Sequence, residues 1–367
     1  RSRPITETGT LPTVDISNIA TVSSLPKIVG TTFGSAVKAI FTAQLEGGAG
    51  DVLAMEMENA QLDHVKEINE ELLAASASLV SAGAATTFTV PAAYAHHFKI
   101  GDAVSQWDTS ADAWIRTTGS VISAVNTGTG VVTMATGTAP ADGDGMAIFS
   151  RAGFTSVDDI VAVDGWNFGG VDDAAAFTAD GGVRAYDLTY ADRVASTWNA
   201  GLVQDNDGIS RELTLNLIDN AIRDIRINGG EPKLILMGHD QYFRMERLLL
   251  AQQRYLGREE YTVGIGNERT FPGTRTGLDL ASYMGIPILV DADTPHSVST
   301  TDVILGSNVY VLDTDYMEIA IAQPTQYVEN RDYFAVNALV VRGLIYTMGE
   351  LRCRNIWVTA KIVDLAS

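Results

Sequence analysis

The sequence has one cysteine, six lysines and no long apolar run. Each shortage excludes something. With Cys353 alone, no intrachain disulfide can form and no cysteine pair supports zinc. Its setting, LRCRNIW, alternates like a strand and predicts a buried, inert thiol. No apolar stretch reaches the roughly 18 residues that a membrane-spanning helix requires. The uncharged run from Leu72 to Ala95 is mostly Ala, Ser and Thr, and reads as a helix end entering a strand. The chain opens Arg1-Ser2-Arg3, with no signal-peptide pattern.

Catalytic motifs are missing as well. Gly264-Ile265-Gly266-Asn267-Glu268-Arg269 lacks the third glycine of a dinucleotide loop. No lysine follows a phosphate-binding glycine loop, and no Gly-x-Ser-x-Gly elbow exists. Of His64, His96, His97, His239 and His296, none belongs to a His-Glu-x-x-His motif. His64 is expected on the flank of a helix. His96 and His97, adjacent on a predicted strand, would face opposite ways. Asp205-Asn206-Asp207-Gly208 starts like a calcium loop but has no glutamate at the twelfth position. Acid pairs such as Asp158-Asp159, Asp172-Asp173, Asp291/Asp293 and Asp313/Asp315 are expected by chance where Asp is this common. Asp142/Asp144 and Asp205/Asp207 are the metal candidates, as loose cation sites, though polar turns are the first reading. No catalytic residue, cofactor or enzymatic activity is expected.

What the sequence does have is negative charge. The net is −20, from 45 acidic against 25 basic residues, and Asp outnumbers Glu nearly two to one. Such a bias suits strong salt, where the Debye length falls to about 3 Å at 1 M and self-repulsion is screened. It also argues against gripping nucleic acid, which needs Lys and Arg to replace phosphate counterions.

At 367 residues and 46% hydrophobic, the chain can bury two or three cores. Residues 1–35 have no stable period and read as an extended arm. Residues 51–75 carry a helical period through Leu53, Met57, His64, Ile68 and Leu72, with Glu67, Glu70 and Glu71 as a solvated face. From 86 to 150, short alternating runs recur about every ten residues, as in a small antiparallel barrel or sandwich. Asn126–Gly130 and Asp142–Gly145 supply turns. Ile160–Val163 reads as a strand. A second helix carries the stripe Leu213, Leu217, Ile218, Ala221, Ile222 and Ile225, capped by Asp207 or Ser210. A third helix starts at Asp240, with Met245, Leu248 and Leu249 inward. Residues 258–277 read as a loop. Long strands follow Tyr316, with Met317, Ile319 and Ile321 alternating.

The stretch Gly229–Pro295 is the most distinctive. A strand (Leu234–Met237) leads into the Asp240 helix, then a Gly/Thr/Arg-rich loop. A second strand follows (Ile286–Val290), breaking at Asp291, Asp293 and Pro295, and Val309–Asp313 adds another. This order resembles the latter half of major capsid proteins of tailed viruses, the Hong Kong 97 fold shared with encapsulin shells. The resemblance implies an α+β capsid fold in six parts. These are an N-terminal arm (1–35), a peripheral domain with spine helix (36–85), an inserted β domain (86–150), a connection (151–205), an axial domain (206–315) and return strands of the peripheral domain (316–367). It implies self-assembly into hexamers and pentamers of an icosahedral virion shell around double-stranded DNA, without specific DNA binding or membrane association. Decoration, portal and scaffold proteins would be partners. Arg258, Arg269 and Arg275 become candidates for salt links between subunits, and Arg1 for a maturation-cleavage product. With the acidic composition, the host expected is a haloarchaeon. Two alternatives stand beside this: an encapsulin-like compartment, and an acidic α/β ligand-binding protein or enzyme with its site near Asp291/Asp293.

Overall fold

The computed structural model describes residues 23–43, 52–108, 113–115, 120–137, 139–161, 186, 201–206, 210–250, 259–263, 269–273, 282–296, 307–330 and 339–366. These form three bodies of structure. The first is a three-stranded antiparallel sheet of order β1-β18-β17, from Lys27–Ala36 (β1), Met317–Asn330 (β17) and Val340–Cys353 (β18). A short helix α1 (Val37–Ala43) follows β1, and the long helix α2 (Val52–Leu73) lies across β1 and β18. Thus residues 27–35 of β1, inside the expected arm, pair with the chain's own sheet, Lys27 opposite Gly349 and Ser35 opposite Val341. Residues 1–22 of that arm lie outside the described residues.

The second body is a β unit of two four-stranded sheets. One has the order β2-β9-β5-β6, from Ala77–Leu79 (β2), Ala103–Asp108 (β5), Ala113–Ile115 (β6) and Gly145–Ser150 (β9). The other has the order β3-β4-β8-β7, from Ser81–Ala82 (β3), Thr87–Thr89 (β4), Ile122–Asn126 (β7) and Val131–Met134 (β8). Its strands begin at Ala77, ahead of the expected boundary at 86. Phe88, Phe98, Val104, Ile122, Val132, Met146 and Ile148 fill its core. Phe98 caps a 3-10 turn, Ala92–His97, and strand pairing starts only at Ala103.

The Asn126–Gly130 turn joins β7 to β8. Asn126 Oδ1 accepts from Gly128 N (3.1 Å) and Thr129 N (3.2 Å). Gly130 has φ +74°, and a Cβ there would overlap the Val90 carbonyl. Gly130→Ala is therefore expected to cost about 2–3 kcal/mol, read by chemical denaturation, since a left-handed backbone and a blocked site coincide.

The third body is a six-stranded mixed sheet of order β10-β19-β16-β11-β15-β14. Its strands are Leu202–Gln204 (β10), Leu234–Met237 (β11), Ser282–Tyr283 (β14), Ile286–Val290 (β15), Ser307–Leu312 (β16) and Thr359–Leu365 (β19). Strand alternation gives the sheet two apolar faces. Ile235, Met237, Val309 and Val311 point to one core, with Ile218, Ala221, Ile222 and Ile225 of helix α4 (Leu215–Ile227) and Met245 of helix α5 (His239–Leu250). Leu236, Tyr310 and Leu312 point to the other, with Val157, Ile160 and Val161 of helix α3 (Val157–Val161) and Leu351 and Cys353 of β18.

Several expectations are corrected here. Ile160 and Val161 are helical, not in a strand. The residue before α4 is Thr214, without a side-chain cap, so Ser210 does not cap it; Asp207 lies outside the described residues. Leu248 is exposed, not inward. The expected loop 258–277 contains an antiparallel hairpin, Glu259–Val263 (β12) with Arg269–Gly273 (β13). The final strand β19 joins the six-stranded sheet rather than returning to β17 and β18.

Candidate functional site

The three bodies meet around residues 151–159, and the meeting point is charged. Arg151 follows β9 and is buried. Its guanidinium donates to Asp159, to the carbonyls of Ala74 (3.3 Å) and Ala75 (2.8 Å), and to the His97 carbonyl (3.4 Å). Asp102 lies 3.9 Å away and accepts from Ala152 N (2.8 Å) and Lys99 N (3.1 Å). Burial pushes the Asp102 carboxyl up, against the pull of Arg151. On α3, Asp158 pairs with Lys361 of β19 and accepts from Tyr310 Oη (2.7 Å) and Ser76 N (2.7 Å). Burial raises its carboxyl, but Lys361 and the hydrogen bonds outweigh that and hold it below its ordinary value. Glu350 of β18 accepts from Thr155 N (2.8 Å) and Leu351 N (3.0 Å), and Lys27 of β1 sits 3.9 Å off.

Beside this junction a cleft of about 930 Å3 opens between β1, α2 and the β unit. Lys99 reaches Glu70 (2.7 Å) and Glu67 (3.0 Å), and Lys66 reaches Glu70 (3.3 Å). Burial raises Glu70, yet the two lysines bring it below its ordinary value. Glu71 is different. Burial pushes it up to about 7, opposed by the Phe154 N–H (2.9 Å) and helped by Glu67. Glu70 and Glu71 are thus buried, not a solvated face. A carboxyl held near neutrality can mark a reacting site. Here the cause is burial and the hydrogen bond goes to backbone, as in a structural seam.

His64 is not on an open flank. It is buried, hydrogen-bonded with Thr31 (3.3 Å) and Thr347 (2.8 Å), and ties α2 to β1 and β18. His96 and His97 lie on the 3-10 turn, not a strand, so their rings approach to 4.0 Å between centroids. Burial, then His96 and Arg151, hold His97 well below the usual imidazole range.

The cation candidates are dispersed. Asp144 is buried and accepts from Gln106 (2.8 Å) and Ala141 N (2.7 Å), a turn-closing role. Asp142 accepts from Ala82 N (3.4 Å). Asp205 lies after β10, and Asp207 is outside the described residues. Asp291 and Asp293 share the amide of Asn69 on α2 (3.2 and 2.7 Å). Among the described residues no group of three or more His, Cys, Asp or Glu is placed to hold a metal. Arg269 opens β13, while Arg258 and Arg275 lie outside the described residues. The sequence reading missed Arg151, Lys361 and Glu350, because, Asp159 beside Arg151 excepted, the groups that bury and pair them are far away in the chain.

No family model matches the chain, and no curated protein matches it. Solved structures do. The cyanophage A-1(L) capsid asymmetric unit is 13% identical, with a TM-score of 0.56, and the match covers 100% of this chain and 85% of that one. The chain has a phage-capsid fold. The expected capsid fold therefore holds in its coarse form, a mixed α/β fold similar to that of a phage capsid. Two further structures overlap this capsid fold less. A Mycobacterium phage Ogopogo chain is 12% identical, with a TM-score of 0.42 over 100% of this chain and 83% of that one. The SrpI encapsulin of Synechococcus elongatus is 8% identical, with a TM-score of 0.39 over 93% and 74%.

Proposed function

We propose that this chain is a major capsid protein that assembles into hexamers and pentamers of an icosahedral shell around double-stranded DNA. The observation that carries this is the whole-chain likeness to the cyanophage capsid. Fold alone does not assign function, so the surface matters too. Large apolar side chains stand exposed on separate elements: Met55, Leu62 and Val65 on α2, Ile319 and Ile321 on β17, and Ile227 and Met284 beside the six-stranded sheet. Summed apolar burial between copies, at about 25 cal/mol per Å2, would use such faces. The six-stranded sheet with α4 and α5 would be the axial domain, and the three-stranded sheet with α2 the peripheral one. Arg258, Arg269 and Arg275, on and beside the β12–β13 hairpin, would pair with neighbours. The acidic, lysine-poor composition supports a shell that holds DNA without gripping it, in strong salt, as in a virus of haloarchaea. Decoration, portal and scaffold proteins would be its partners, and the virion its location.

Light scattering and electron micrographs of the purified chain test this. Closed particles of megadalton size are expected. A monomer or dimer at all concentrations and salt strengths would refute it.

A further inference from the structure

One small site outside the junction combines four unusual features. Strands β14 and β15 are joined by the two-residue turn Met284-Gly285, with φ +51° and +82°. Such a turn needs left-handed backbone at both positions, which is why Asn-Gly or Gly-Gly usually fills it. A methionine there is sterically disfavoured, and its side chain is 59% exposed. Ile227, the last residue of α4, stands beside it at 73% exposure. Together with Ile222, Asp219, Arg223 and Arg226 they line a notch of about 400 Å3. Asp219 is engaged by Tyr283 Oη (2.9 Å), and Arg223 by Asp224 (2.8 Å). Arg226 makes no ion pair with the described residues.

Helix-dipole complementarity accounts for a basic residue in the last turn of α4. It does not account for two bare apolar side chains next to it, one on a disfavoured backbone. A backbone outlier of this kind argues for a role that contacts within the chain do not supply. The charge of the chain names the occupant. With 45 acids against 25 bases, any second copy presents a predominantly acidic surface. A guanidinium can take a carboxylate of that surface in a two-pronged pair, and such a contact-range pair is screened by salt less than the net repulsion between copies is.

We infer that this notch is a contact seat between copies of the chain. Ile227 and Met284 meet an apolar surface of the second copy, and Arg226 pairs with a carboxylate at its rim. The inference rests on the shell reading and names one of the surfaces that the shell uses.

Cys353 is buried and is the sole cysteine, so a Met284→Cys chain carries one accessible thiol. Its rate of maleimide labelling is measured in assembled particles and in dissociated subunits. Labelling in particles is expected to be at least about tenfold slower, the equivalent of one hot-spot side chain. Equal rates overturn the seat while leaving the shell intact. They would also be the result if another protein, absent from the preparation, were the occupant. As a second arm, Arg226→Glu and Ile227→Asp are each expected to lower particle yield about tenfold or more. Circular dichroism of their subunits should stay unchanged and melting should fall by only a few degrees, because both side chains face solvent and the cost is that of an acid against the helix dipole. Normal yield from both variants also overturns the seat. Failure of the unaltered chain to form particles would instead sink the shell reading, and the seat with it.

Discussion

Replacing Lys361 by methionine is expected to destabilise the fold by about 3–5 kcal/mol, the usual cost of stripping the partner from a buried charge. The Lys361 and Asp158 side chains are only 2% and 1% exposed. Water cannot replace the lysine, so Asp158 would keep two hydrogen bonds, from Tyr310 and Ser76, and as countercharge only Arg151, which is already paired with Asp159. Burial, with Asp158 next, pushes the Tyr310 hydroxyl well above its ordinary range, so it stays a neutral donor and offers no proton relief. Equilibrium unfolding of the purified chain measures the loss. The double variant Lys361→Met with Asp158→Asn should regain most of it, because a buried pair barely repays its own desolvation. If Lys361→Met alone matched the unaltered chain, water would have to reach the pair and the sealed junction would be wrong.

The location makes this more than a local loss. Asp158 sits on α3, whose five residues are all buried, between β19 and the start of the β unit at Ser76. Asp159, its neighbour, holds Arg151 at the other end of that unit. One short helix thus presents acids to the six-stranded sheet and to the β unit, while its Val157, Ile160 and Val161 fill the core shared by the six-stranded sheet and β18. Loosening Asp158 is expected to release the β unit before the sheets themselves melt, since local opening follows the weakest coupled contacts.

Much of the fold is legible in residue order because its signals are local. Leu234–Met237 is apolar on both faces and is covered on both. The α4 stripe falls on one side, and Gly229 with Gly230 ends it through bonds to the Arg226 and Ile225 carbonyls (both 3.0 Å). Asn126–Gly130 closes its hairpin as turn chemistry requires. The junction is illegible for the opposite reason. Glu71 reads as solvent-facing until Phe154 N is found 83 positions along the chain, and His64 until Thr347 is found 283 positions along. Charge in a sequence signals surface, and only long-range pairing reverses that. Five residues of α3 are too few to display a helical period, so Ile160 and Val161 look like strand. Alternation in β17 was legible, but it says which side chains share a face, not whether anything covers it. Ile319 and Ile321 share one and are exposed.

Glu71→Gln is expected to remove a pH dependence and to stabilise the folded chain at mildly alkaline pH. The folded carboxyl titrates at about 7 against 4.5 for the free group, because burial penalises its charge. The folded chain therefore holds this proton more tightly than the unfolded chain does. Its contribution is fully present below about pH 4.5 and is lost as pH rises through about 7. That shift corresponds to about 3 kcal/mol between the two limits. Asp102 and Glu350 are also raised by burial and act in the same direction, whereas Glu70 and Asp158 are lowered and act oppositely. The slope of the unaltered chain mixes all five groups, so the difference between it and Glu71→Gln is the quantity that isolates Glu71. Measured by denaturant unfolding from pH 5 to 8, the advantage of the variant should grow up to about pH 7 and level off above that. A glutamine loses the charge but still offers an oxygen to the Phe154 N–H, so the contact at the mouth of the β unit survives. A flat difference would mean that water solvates Glu71, and the cleft would then be an open groove rather than a seam that loosens as its acid ionises.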